Sequence, residues 1–174
     1  MTIDEELSLI KQAQSGNRDS LARLWDAITP KLYGYLVNTL KNKELADDCL
    51  QETWLKAVTH LNQFKPRGVR FSAWVFAIAR NVCREHWRKN KHAASVSEPQ
   101  KDDSDRLLSK EAVEEKMVVE SVFSQISNDD AEIIRLRFIG GFSFKEIASL
   151  LGISALTARV RLHRALVRAR AILN

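Results

Sequence analysis

Apolar residues recur three and four positions apart along almost the whole chain: Leu7, Ile10 and Ala13; Leu21, Leu24, Trp25 and Ile28; Leu32, Leu36, Val37 and Leu40; Leu50, Trp54, Ala57 and Leu61. That spacing draws one apolar stripe down each helix. No convincing period-two segment competes with it, so the expected fold class is all-α. The breaks carry the chemistry of helix ends. Ser15-Gly16-Asn17 follows the first helix, Thr29-Pro30 puts a proline in the first turn of a third, and Gly140-Gly141 follows a helix that starts near Asn128.

A chain of 174 residues with 45% hydrophobic content fits one typical domain or two small ones. From about His92 to Ser109 it reads HAASVSEPQKDDSDRLLS, acidic, with a proline and little periodicity. This is expected to be a flexible linker over 92–108 between helical domains at 1–91 and 109–174; the alternative is a surface loop within one domain, although loops this long are uncommon in compact folds. The two cysteines, Cys49 and Cys83, form no CxxC pair and lack nearby histidines, the usage of a reducing compartment. The longest apolar run, WVFAIA at 74–79, is far below a membrane span. A cytoplasmic protein without cofactor or metal is expected.

Formal charge is +5, and its placement says more than its sum. Every carboxylate of the last third lies at or before Glu146, so the C-terminal tail is purely cationic. Ser143-Phe144-Lys145-Glu146 has the Ser-x-x-Glu form of a capping box, opening a short helix whose Phe144, Ile147 and Leu151 share a face. Gly152 supplies the permissive backbone that ends it, and Ser154 caps a longer helix. Short helix, tight glycine turn, long helix is the helix-turn-helix pattern.

On the second of these helices Ala158, Leu162, Ala165, Leu166, Ala169, Ile172 and Leu173 form the stripe expected to pack inward. Leu156, Arg159, Val160, His163 and Arg164 point away from it, with Thr157 and Arg161 on its flank. These side chains suit a DNA major groove. The bland alternative, a solvated basic helix end, explains Arg168 and Arg170 nearly as well, because cations are favoured at a helix C-terminus.

The stretch FSAWVFAIARNVCREHWRKNK at 71–91 interleaves aromatics with cations. Arg80, Arg84, Trp87 and Arg88 share the side opposite the core, with Asn81 at its edge. Arginines one turn apart can follow a phosphate backbone, and a neighbouring ring or amide can stack or read an unpaired base. Upstream, Asp48, Gln51, Glu52 and Leu55 project away from the stripe of Leu50, Trp54, Ala57 and Leu61. Carboxylates repel DNA, so this face suits a protein partner or plain solvent.

Taken in order, ADDCLQETWLKAV at 46–58, FKPRGVRFSAWVFAIARNVCREHWR at 64–88 and GGFSFKEIASLLGISALTARVRLHRA at 140–165 resemble the bacterial RNA polymerase sigma factors of the extracytoplasmic-function type. The resemblance implies a sigma-2-like bundle and a sigma-4-like helix-turn-helix domain joined by a linker. It also implies binding rather than catalysis, with core RNA polymerase and promoter DNA as partners, and an anti-sigma factor expected. Carried over by position, it assigns Asp47, Asp48, Gln51, Glu52 and Leu55 to core polymerase. Phe64, Arg80, Asn81, Arg84, Trp87 and Arg88 go to the minus 10 element, and Ser154, Thr157, Arg159, Val160, Arg161, His163 and Arg164 to the minus 35 element. Ala158, Val160 and Glu85 depart from the family's usual valine, serine and aspartate, which bears on promoter sequence. The competing class is a stand-alone helix-turn-helix regulator, which needs neither the acidic face nor a second basic element.

Overall fold

A computed structural model describes residues 1–66, 68–93, 118–119 and 121–173. Four helices come first: α1 (Ile3–Gln14), α2 (Arg18–Leu40), α3 (Lys43–Thr59) and, after a 3-10 turn at Leu61–Gln63, α4 (Phe71–Ala93). Beyond the undescribed stretch, a helical segment at 121–125 precedes α5 (Asn128–Phe138), α6 (Phe144–Leu151) and α7 (Ala155–Leu173). Among the described residues there is no strand. The linker expected over 92–108 lies, from residue 94 on, outside the described residues.

Local chemistry accounts for the helix starts. Thr2 and Glu5 close a capping box on α1, and Asn17, Asn42 and Ser127 each accept an early backbone N–H of α2, α3 and α5. Helix α4 is capped from a distance. The buried carboxylate of Glu6 accepts the Ser72 N–H at 2.6 Å and the Ser72 hydroxyl at 3.2 Å, so an anion from α1 sits where the α4 dipole favours one.

One expected boundary fails. Pro30 lies inside α2, which continues through the place where a new helix was expected. Leu24, Ile28, Leu32 and Leu36 form a four-residue repeat with every member at most 3% exposed. That unbroken buried stripe outweighs the single hydrogen bond that the proline removes.

The core of the first four helices joins α2 to Ala46, Cys49, Trp54 and Ala57 of α3 and to Val75, Phe76, Ala79, Val82 and Cys83 of α4. Leu50, expected in the α3 stripe, is only half-buried, and Cys49 and Thr53 take the inward positions. The Trp54 indole N–H donates to the Thr29 hydroxyl at 3.1 Å. In the last three helices Ile133, Leu136, Ile147, Ala158, Leu162 and Ala165 are buried together. The cluster is continuous across the two sets, since α4 packs on α6 and α2 on α5, and Phe142 meets Phe76 edge-on at 4.8 Å.

Candidate nucleic-acid interface

The helix-turn-helix is built as its sequence dictates. Ser143 accepts the Glu146 N–H, Glu146 accepts the Ser143 N–H at 2.8 Å, and Gly152 closes α6 in the left-handed region at φ 68°. A side chain there would be strained, which is why the turn takes glycine. Ser154 caps α7 by accepting the Thr157 N–H at 3.0 Å, and its hydroxyl lies 2.8 Å from that of Thr157.

Ala158, Leu162 and Ala165 anchor α7, while Leu156, Arg159, Val160, Arg161, His163 and Arg164 are exposed and Thr157 is half-buried. Two guanidiniums converge on the Phe144 ring, Arg137 at 5.2 Å and Arg159 at 5.4 Å from its centroid. Arg137 is fixed further by donating to the Phe142 carbonyl at 2.8 Å. The α6 aromatic therefore orients the first arginine of α7 by cation–π attraction, leaving Arg161 and Arg164 in solvent.

The far end of the inward stripe departs from expectation. Leu166 and Leu173 are 40% and 58% exposed, while Ala169 and Ile172 pack on a small cluster of Val122, Ile126 and Ala131. Arg168, grouped by sequence with the solvated helix end, is a structural tie: it grips Asp130 at the start of α5 with two hydrogen bonds of 2.6 Å.

On α4, Asn81, Arg84, Trp87 and Arg88 are exposed, Trp87 by 45%. Two of the residues assigned with them are placed otherwise. Phe64 is 6% exposed and forms an aromatic cluster with Phe71 and Trp74, both at 5.3 Å, because an unpaired ring gains more by burial beside the base of α4 than in water. Its cluster walls a cavity of about 560 Å³ that also touches Lys65, Val69, Ser149 and Leu150. Arg80 is not on an open face. Its Nε donates to Glu132 at 2.6 Å and its Nη1 to the Leu150 carbonyl.

Glu132 was invisible to sequence reasoning, as were its companions. It accepts the Tyr35 hydroxyl at 3.0 Å, Arg135 donates to Asn38 at 2.9 Å, and Arg70 pairs with Glu146. Burial pushes the Tyr35 hydroxyl well above its usual range, helped by the Glu132 charge. Burial alone would raise Glu146; the Arg70 guanidinium and the Ser143 hydroxyl and N–H outweigh it and hold the carboxyl below the ordinary range. Each partner lies far away in sequence, on another helix or, for Arg70, just before one, so only the Ser143–Glu146 spacing offered a local signal, and that signal spoke of capping alone.

On α3, Asp47, Asp48, Gln51 and Leu55 are exposed, Leu55 by 69%. Glu52 is engaged internally, with Lys56 at 2.8 Å and His86 at 3.1 Å, and the Lys56 ammonium holds its carboxyl below the ordinary range. Asp47 also borders an open groove with Trp25, Pro30, Tyr33 and Leu50, where Trp25 leans on Trp54 at 4.6 Å. The two cysteines are free and buried, and burial pushes the Cys49 thiol to about 11 and the Cys83 thiol to about 12. They are core residues. No helix among those described is long and apolar enough to cross a membrane.

Residues 24–93 match the family model of sigma-70 region 2, and residues 116–168 that of sigma-70 region 4. Over 174 aligned positions the chain is 30% identical to the RNA polymerase sigma factor CarQ of Myxococcus xanthus, covering 95% of each. It is 29% identical to the ECF RNA polymerase sigma factor SigM of Bacillus subtilis, over 82% of this chain and 88% of that one. Among solved structures, CnrH in complex with the cytosolic domain of CnrY superposes with a TM-score of 0.75 at 26% identity, covering 97% of both chains. The sigma factor RpoE in complex with the anti-sigma factor NepR from Bartonella quintana gives a TM-score of 0.73 at 23% identity, over 88% of this chain and 96% of that one.

Proposed function

The chain belongs to the extracytoplasmic-function sigma factors of bacterial RNA polymerase, and from that premise we propose how its surfaces share the work of promoter recognition. As a sigma factor it directs core polymerase to promoters for transcription initiation. The proposed division gives α1–α4 to core binding and the minus 10 element, and α5–α7 to the minus 35 element, with a linker over 92–108.

The observation that carries the minus 35 assignment is the outer face of α7. Arg159, Arg161 and Arg164 lie exposed in its first turns after a glycine-turned helix pair, together with Ser154, Thr157, Val160 and His163, and the helix holds no carboxylate. Such a face offers donors for base edges and phosphates, and Val160 an apolar contact for a thymine methyl. Asn81, Arg84, Trp87 and Arg88 of α4 form the minus 10 surface, where exposed cations hold the opened strand and the indole stacks a base. Arg80 joins them once its present partners release it. Phe64 supports the surface from beneath.

Asp47, Asp48, Gln51 and Leu55 serve core polymerase, with Glu52 stiffening the face through α4. An acidic surface on a basic protein suits a protein partner rather than DNA, and it favours this reading over a stand-alone regulator. The chain acts by binding, without chemistry of its own, and in the cytoplasm. The likeness to RpoE, solved in complex with the anti-sigma factor NepR, supports control by an anti-sigma factor. Transcription in vitro with core polymerase and a promoter library tests the whole: a shared pair of elements near minus 10 and minus 35 is expected among the templates used. Transcription indifferent to Arg159, Arg161 and Arg164 alanine variants would overturn the assignment of α7.

A further inference from the structure

Among the described residues, the large apolar side chain most open to solvent is Leu156, 72% exposed in the first turn of α7. The turn before it fixes its place. Ile153 packs on the core and donates its N–H to the Ala148 carbonyl at 3.0 Å, and the Ser154 cap holds the Thr157 N–H. Leu156 then stands about 120–180° round the helix from Ala158, Leu162 and Ala165, the residues that anchor α7, at about 100° per residue. Its methyl groups stay in water and gain none of the free energy of burial, so the leucine adds little to the fold.

What surrounds it has the cross-section of a groove reader. Val160, also exposed, lies one turn on and about 40° round from Leu156. Arg159 stands about 60° to one side of Leu156 and Arg164 about 80° to the other. An apolar centre flanked by guanidiniums, on a helix without a carboxylate, matches a major groove with bases on its floor and phosphates along both walls. The second helix of a helix-turn-helix presents its N-terminal residues to base edges, and Leu156 is the second residue of α7. Charge complementarity and continuity with the rest of the α7 face thus commit the leucine to duplex DNA.

An aliphatic side chain in the groove discriminates by one group. Only thymine carries a C5-methyl there, and leucine against it buries apolar surface on both sides. Against the amino group of cytosine or the N7 and O6 of guanine it would strip a polar group of water and return no hydrogen bond, which costs binding.

We propose that Leu156 is a base-reading residue, and that together with Val160 it reads the C5-methyl groups of two thymines in the minus 35 element. The proposal rests on the assignment of α7 to that element. Four residues of helix rise about 6 Å, close to two base-pair steps of about 3.4 Å. The two thymines are therefore expected within two steps of each other, on either strand.

Holoenzyme assembled from the full chain and core polymerase tests this on a promoter recovered from the library, with each minus 35 thymine of either strand replaced in turn by deoxyuridine. The replacement removes the methyl group and leaves O4 and the pairing unchanged. For the unaltered chain it should weaken promoter binding about fourfold at two positions, the worth of one buried methyl group. With Leu156→Ala the loss should vanish at one of these positions and persist at the other, and with Val160→Ala the reverse. Both variants should keep the melting temperature, since neither side chain is buried. An element with no methyl-sensitive thymine, or methyl losses equal in the unaltered chain and in Leu156→Ala at every position, would overturn the reading. So would a Leu156→Ala chain that binds core polymerase more weakly without DNA, since the leucine would then serve a protein. Failure of the underlying assignment looks different: alanine at Arg159, Arg161 and Arg164 would then also leave every minus 35 preference unchanged.

Discussion

Arg161 and Arg168 are two arginines of one helix, two turns apart, and their alanine variants should fail in different ways. Arg161 is exposed and has no carboxylate partner among the described residues. Arg168 spends its guanidinium on both oxygens of Asp130 at 2.6 Å. Each phosphate contact contributes about −0.9 to the slope of log affinity against log salt on duplex DNA. Between about 50 and 200 mM salt one such contact therefore changes affinity by about 3.5-fold. For the full chain on a minus 35 duplex, measured by fluorescence anisotropy at several salt concentrations, Arg161→Ala should lower the slope by about 0.9 if the side chain meets phosphate. A base-edge contact would instead cost about 1–3 kcal/mol at one promoter position. Arg168→Ala should leave both slope and sequence preference unchanged, and lower the melting temperature by unpinning α7 from α5. A slope that falls equally for both variants would refute the reasoning, since it would mean that Arg168 leaves Asp130 to meet DNA.

Asp48→Lys, on the exposed side of α3, should slow association with core polymerase by about tenfold at low salt and much less at high salt, with the melting temperature unchanged; equal rates in both salts would remove the acidic face from the interface. Trp54→Ala should cost about 3–5 kcal/mol in urea unfolding, because a side chain only 2% exposed leaves a cavity and deprives the Thr29 hydroxyl of its donor. Glu146 and Glu52 are both held below the ordinary carboxylate value of 4.5, so their stabilisation is fully present above that pH and is lost as pH falls through their lower folded values. The urea midpoint should therefore drop on acidification below about pH 4.5, and Glu146→Gln should flatten part of that drop.

Much of the local architecture was legible because it rests on neighbours in the chain. The Ser143–Glu146 box, the left-handed Gly152, the Ser154 cap and the outward Arg159, Arg161 and Arg164 each follow from residues within one or two helical turns. The order of the three motifs likewise carries the resemblance to the sigma factor family. Pro30 misled because its effect on the backbone is local, whereas the stripe that carries α2 past it is buried by α1, α3 and α4.

Amphipathic periodicity specifies which face of a helix turns inward, and so the helical fold class and the exposed cations of α7 were determined by sequence alone. Periodicity is silent on which foreign side chain meets a given face. Whether Arg80 points to solvent or to Glu132, whether Arg168 waits for phosphate or grips Asp130, and whether Phe64 offers its ring or buries it were decided by partners from 7 to 52 positions away. An arginine reads the same in sequence whether its charge is free or spent. Only the approach of a carboxylate from another helix distinguishes the two, and that approach is a property of the tertiary structure.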